Sequence, residues 1–180
     1  MHTHKCVLLV VDVQKAIING QLFNINKVMD NIKKLISAVR DNGVEVVYVC
    51  HDVRKIEQSE DEWEICEEIA PNMGEMIFYK QYNSAFYKTR LKEYLESKGI
   101  NTIILVGLQT EYCIDATCKS AFEHGYKVII PEETNTTFDN EYLSADKLYE
   151  FYNFKIWDKR FAYVLPVEEA IKILSEKGKI

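Results

Sequence analysis

Proline and glycine are scarce in this chain, with three and seven in 180 residues. That leaves no low-complexity linker, and the sequence has no internal repeat. A single domain spanning 1–180 is expected, large enough to bury a sizeable core at 47% hydrophobic and 28% charged residues. Long apolar runs are missing as well. The stretch "MHTHKCVLLVVDVQKAI" holds an uninterrupted apolar run of only about five residues and carries Asp12 inside the pattern. This is too short for a signal-peptide core or a membrane span, so a cytoplasmic protein without a membrane partner is expected. A basic excess is also absent: 22 Lys and Arg stand against 28 Asp and Glu, a net charge of -6. A nucleic-acid partner would need clustered, unbalanced cations. Stretches such as "KTRLKEYLESKG" (88–99) mix both signs, as solvated helix faces do.

Paired cysteines are the last absence. Cys6, Cys50, Cys66, Cys113 and Cys118 are odd in number and lack CxxC spacing. Neither a disulfide framework nor a structural zinc site is favoured.

What the chain does have is alternation. Continuous β-branched and Leu runs at 6–11 and 44–50 read as strands covered on both faces. Further strands are expected at 76–79, 102–107, 126–130 and 161–166. Between them, Ile25, Val28, Met29, Ile32, Leu35, Ile36 and Val39 follow helical spacing, and Gly43 sits where a helix C-cap is wanted. Helical patterns recur at 59–69, 91–99, 113–125, 142–154 and 167–178. The fold class predicted is α/β: a three-layer α/β/α sandwich around a six-stranded, mainly parallel, Rossmann-like sheet with right-handed crossovers.

Ligands of such sheets bind beyond the carboxyl ends of the strands. The residues there are Asp12, His51 and Asp52, Lys80, and the loop from Gly107 to Cys113. Each has a plainer reading: Asp12 as a turn residue, Lys80 as a surface lysine, Cys113 as a small buried hydrophobe. Position favours chemistry. A thiol in the first turn of a helix feels the positive end of the dipole, and an adjacent ammonium lowers its pKa further. Cys118 lies within the same helix and gains neither. Asp12 is placed to accept the thiol proton and return it to a leaving amine. An acyl-transfer nucleophile also needs N–H donors aimed at the oxyanion, and the backbone amides of Gln109 and Cys113 are the candidates. Thr110 is expected either to bond within that turn or to cap the helix.

Four blocks, "LLVVDVQ" (8–14), "KQYNSAFYKTRL" (80–91), "GLQTEYCIDATCKSAFEHGY" (107–126) and "TTFD" (136–139), resemble those of the isochorismatase-like cysteine hydrolases in the same order. That superfamily includes nicotinamidases and N-carbamoylsarcosine amidases. The resemblance implies a catalytic triad of Asp12, Lys80 and Cys113, and a cis peptide between Leu108 and Gln109. It also implies a small amide substrate and a homodimer or homotetramer. Isochorismatases proper, which hydrolyse a vinyl ether, lack the cysteine, so attack at an acyl carbon is the better fit. Substrate contacts are expected from Gln14, Trp63, Phe86 and Tyr112, with Trp63 and Ile65 matching a pocket-flanking segment.

Two departures stand out. Nicotinamidases carry an Asp-x-His and a further His after the second strand, whereas this chain has "HDVRKIEQ" (51–58). Its other histidines are His2, His4 and His124, so no metal and no other cofactor is expected. Asn135 and Cys66 stand where relatives carry histidine. A catalytically silent member, acting as a binding partner or a thiol redox sensor, is the rival reading.

Overall fold

The structure, a computed structural model, describes residues 5–18, 20–52 and 63–175. Seven strands form one parallel sheet: β1 (Cys6–Val11), β2 (Glu45–His51), β3 (Met76–Lys80), β4 (Thr102–Leu108), β5 (Lys127–Pro131), β6 (Asn135–Thr136) and β7 (Tyr163–Leu165). Their order is β3-β2-β1-β4-β5-β7, with β6 paired to the end of β4. The six expected strands are all present. The seventh, β6, has no apolar residue for a hydrophobic pattern to detect, because its side chains are buried through hydrogen bonds.

The helices are α1 (Lys15–Ile18), α2 (Ile25–Asp41), α3 (Leu91–Ser97), α4 (Asp115–Glu123), α5 (Ala145–Phe151) and α6 (Val167–Ser175). Alternation along β1 builds both cores. Val7, Leu9 and Val11 pack with Leu91, Leu95, Cys118 and Ala121 of α3 and α4. Leu8 and Val10 pack with Ile32, Leu35 and Val39 of α2 and with Ala170 and Leu174 of α6. Two helical layers thus enclose the sheet. The chain leaves α2 through Gly43, whose φ of 64° is a left-handed conformation that glycine adopts without a Cβ penalty.

Three helix expectations change. The segment predicted at 59–69 is described only from 63, and there it holds a 3-10 turn (Glu67–Ile69), with Ile65 bridged to Gln14. The helix expected at 113–125 begins as a π-helical turn (Thr110–Ile114) before α4, and the one expected at 142–154 is α5 followed by a second π-helical stretch (Tyr152–Trp157). Among the described residues, no helix is long and apolar enough to cross a membrane.

Candidate active site

Strand order reverses at β1, which lies between β2 and β4, so the crevice of this sheet opens where β1, β3 and β4 end. Val11 is in register with Val49 on one side and Gly107 on the other, and His51 with Lys80. Gly107 permits the approach. A Cβ there would lie 2.0 Å from the Val11 carbonyl oxygen, and its φ of 129° is one that side chains rarely adopt.

Asp12 leaves β1 at φ 53°, a left-handed conformation that aspartate tolerates better than most residues, and its N–H still donates to Val49 O at 2.9 Å. Lys80 ends β3 with only 1% of its surface exposed. Cys113 sits in the π-helical turn. Lys80 Nζ donates to Asp12 Oδ2 at 2.6 Å and to Cys113 Sγ at 3.1 Å. The carboxylate, ammonium and thiol singled out from strand ends therefore meet. The other carboxylate oxygen, Asp12 Oδ1, is buried with no hydrogen-bond partner.

The electrostatics correct one expectation. Burial pushes the Cys113 thiol up to about 12, the Asp12 carboxylate adds to the rise, and Lys80 opposes it only in part. The expected thiolate thus gives way to a neutral thiol beside an ion pair, because burial outweighs an ammonium that is already matched by Asp12. Burial likewise pushes Cys118 up to about 12, as suits an inert core thiol. His51 is held below its ordinary value, first by burial and then by the Lys80 ammonium.

The turn itself is held from several sides. The Leu108–Gln109 peptide is cis. The Gln109 carbonyl accepts from the N–H groups of Tyr112 and Ile114, each at 3.2 Å, which folds the chain back under Cys113. Thr110 neither bonds within the turn nor caps it: the cap position is Gln109, and Thr110 Oγ1 donates to Asn135 Oδ1 at 2.9 Å. Asn135 in turn donates to Asn153 Oδ1 at 3.0 Å.

The expected substrate contacts separate. Gln14 is buried, and its carboxamide is committed to backbone: Nε2 donates to Trp63 O at 2.6 Å and Oε1 accepts from His51 N–H at 2.9 Å. It fastens the wall rather than facing a ligand. Phe86 is also misplaced by sequence reasoning. It packs in the core, stacked on Tyr126 at 5.8 Å and edge-on to His124 at 5.3 Å, near the far end of α4 from Cys113. Trp63 is partly buried, with its ring 6.4 Å from that of His51, and Tyr112 is half exposed beside Cys113. A residue missed was Asn83, whose Oδ1 lies 3.9 Å from Cys113 Sγ. The block "KQYNSAFYKTRL" contained it, but only Lys80 and Phe86 were drawn from that block. Among the described residues, no three His, Cys, Asp or Glu side chains converge as a metal site.

Fold and site together define a doubly wound α/β protein with a buried Asp–Lys–Cys constellation at its strand ends. The chain belongs to the isochorismatase family: residues 6–169 match the isochorismatase domain. It is 32% identical over 138 residues to the uncharacterized isochorismatase family protein YddQ of Bacillus subtilis, covering 72% of this chain and 77% of that one. It is 41% identical over 68 residues to the maleamate amidohydrolase of Pseudomonas putida, a match spanning 38% of this chain and only 32% of that enzyme. The crystal structure of N-carbamoylsarcosine amidase from Thermoplasma acidophilum superposes with a TM-score of 0.74 at 25% identity, covering 91% of this chain and 97% of that one.

Proposed function

We propose that this protein hydrolyses a small amide through a thioester at Cys113. The observation that carries this reading is the buried Lys80 ammonium, 2.6 Å from Asp12 and 3.1 Å from the Cys113 sulfur. Relatives named as a maleamate amidohydrolase and an N-carbamoylsarcosine amidase support an amide substrate.

With the thiol neutral at rest, the sulfur gains its nucleophilicity as it attacks. Asp12 takes the thiol proton while the sulfur adds to the carbonyl carbon, and the oxyanion is received by the Gln109 and Cys113 backbone N–H groups. The tetrahedral adduct collapses, the C–N bond breaks, and Asp12 returns the proton to the departing amine. Water then enters, Asp12 removes its proton as the oxygen attacks the thioester, and the C–S bond breaks to release the acid while Asp12 returns that proton to the departing sulfur, restoring the thiol. Lys80 keeps both contacts throughout, fixing Asp12 and holding the sulfur on the carboxylate side. A thiol raised by burial is a poor peroxide sensor, since oxidation begins from thiolate.

The test combines ammonia release from a panel of small amides with intact-mass detection of an acyl adduct. Turnover with the adduct on Cys113, both lost in Cys113→Ala, is the expected outcome. Turnover that persists in Cys113→Ala would overturn the mechanism.

A further inference from the structure

At the amino ends of β5 and β7, away from the crevice at the carboxyl ends of the strands, a groove of about 590 Å³ opens between the end of α4, the start of β5 and the loop before β7. That volume falls in the range of small-molecule sites. Its walls include the rings of Phe122, Phe161 and Tyr163 and the cations Lys127, Lys159 and Arg160, and no carboxylate lines it. In a chain with 28 acidic and 22 basic residues, this is an inversion of the prevailing charge.

The cations are also largely uncompensated. Among the described residues, neither Lys127 nor Arg160 lies within ion-pair distance of a carboxylate, and Lys159 approaches Asp158 only at 3.8 Å. Lys127 Nζ instead lies 5.1 Å from the centre of the Tyr163 ring. Phe122 and Phe161 meet edge to face at 5.4 Å, and Phe122 and Tyr163 are each about half exposed. Flat apolar faces beside unmatched positive charge are the two halves of recognition for a planar anion: rings stack on the body, and a guanidinium and ammonium groups take the charged group.

We infer that this groove is a second ligand site, separate from the Cys113 crevice, for a small aromatic carboxylate or sulfonate. The separation follows from the chain. Phe122 lies nine residues after Cys113 along the turn and α4, roughly 13 Å at the rise of a helix.

The probe is 1-anilinonaphthalene-8-sulfonate, an aromatic sulfonate whose fluorescence rises on binding. One saturable site is expected on the folded protein, weakening as salt is raised. The double variant Lys127→Glu/Arg160→Glu is expected to bind at least about tenfold more weakly with an unchanged thermal midpoint. Should that variant fail to fold, Arg160→Gln titrated at low and high salt reads the same contribution. Protein carboxamidomethylated at Cys113 is expected to bind the probe as before. Undiminished binding to the charge variants would overturn the proposal. So would loss of binding after Cys113 alkylation, or equal affinity for the uncharged N-phenyl-1-naphthylamine.

Discussion

Lys80 shows how a single residue can be both a structural and a chemical requirement. A buried ammonium is tolerated only when paired, and its partner Asp12 is equally dehydrated at 2% exposure. Removing one member leaves the other charge unmatched, which typically costs about 3–5 kcal/mol. Lys80→Met is therefore expected to lower unfolding stability by that amount in urea titration and to abolish turnover. Replacing both, as Asp12→Asn with Lys80→Met, removes both charges, keeps a residue that tolerates the left-handed backbone at position 12, and should recover part of the stability and none of the activity. Cys113 yields a second expectation from its raised thiol. With a value pushed up to about 12, the neutral form dominates throughout the accessible range. Each unit of pH then raises the thiolate fraction tenfold, so the rate of iodoacetamide alkylation at Cys113, followed by mass, should climb without levelling between about pH 7 and 10. A plateau near the ordinary thiol value of about 8.5 would show that burial does not control this sulfur.

At the scale of elements, the site depends on how closely β1 and β4 approach and on what α4 holds in place. Gly107→Ala would drive a methyl group into the Val11 carbonyl while forcing a side chain into a left-handed backbone. Overpacking and strain together are expected to cost at least about 3 kcal/mol in chemical denaturation. The turn carrying Cys113 would be displaced with it. Thr117, fully buried on α4, accepts from the Ala85 N–H at 3.0 Å and so anchors the loop that brings Asn83 to the sulfur. Thr117→Val keeps the shape but orphans that N–H, a loss of about 1–3 kcal/mol. If the loop positions substrate, the variant should raise KM more than it lowers kcat, readable once a substrate is found. These elements also mark what sequence could and could not convey. Asp12 and Lys80 were legible because one directly follows and the other ends a strand, and Cys113 because it opens the helical pattern in the loop after a third; topology then dictates their meeting. The π-helical turn was not legible, because one extra residue in a turn leaves the hydrophobic spacing nearly unchanged. Neither was β6, whose Asn135 and Thr136 are buried by hydrogen bonding alone. Gln14 and Phe86 were misread because nearness in sequence to a catalytic block says nothing about which way a side chain turns.

For the whole molecule, the question is what covers the apolar surface left over. Trp63, Phe151, Tyr152 and Trp157 are the aromatic residues that a sequence of this size offers for association. Trp157 is in fact fully buried, with its indole N–H donating to Asp115 at 2.9 Å, and it contributes nothing outside. Phe151 remains, at 49% exposure, and Phe154 at 44% and Leu143 at 43% line one groove with it. A contiguous apolar patch of this kind is more than scattered surface hydrophobes require and commonly marks an interface. Its rim carries Lys147, Glu150 and Lys155, the mixed charges that a self-complementary two-fold contact can pair in register. We therefore propose that α5 and the stretch after it form the contact between copies of this chain. Light scattering at micromolar protein is expected to give a mass of at least twice the 21.0 kDa chain. Phe151→Glu with Phe154→Glu should shift that mass to the monomer while leaving far-UV circular dichroism unchanged, since both side chains lie outside the core. A monomeric mass for the unaltered protein would remove the proposal, and a mass unaffected by the double substitution would place the contact elsewhere.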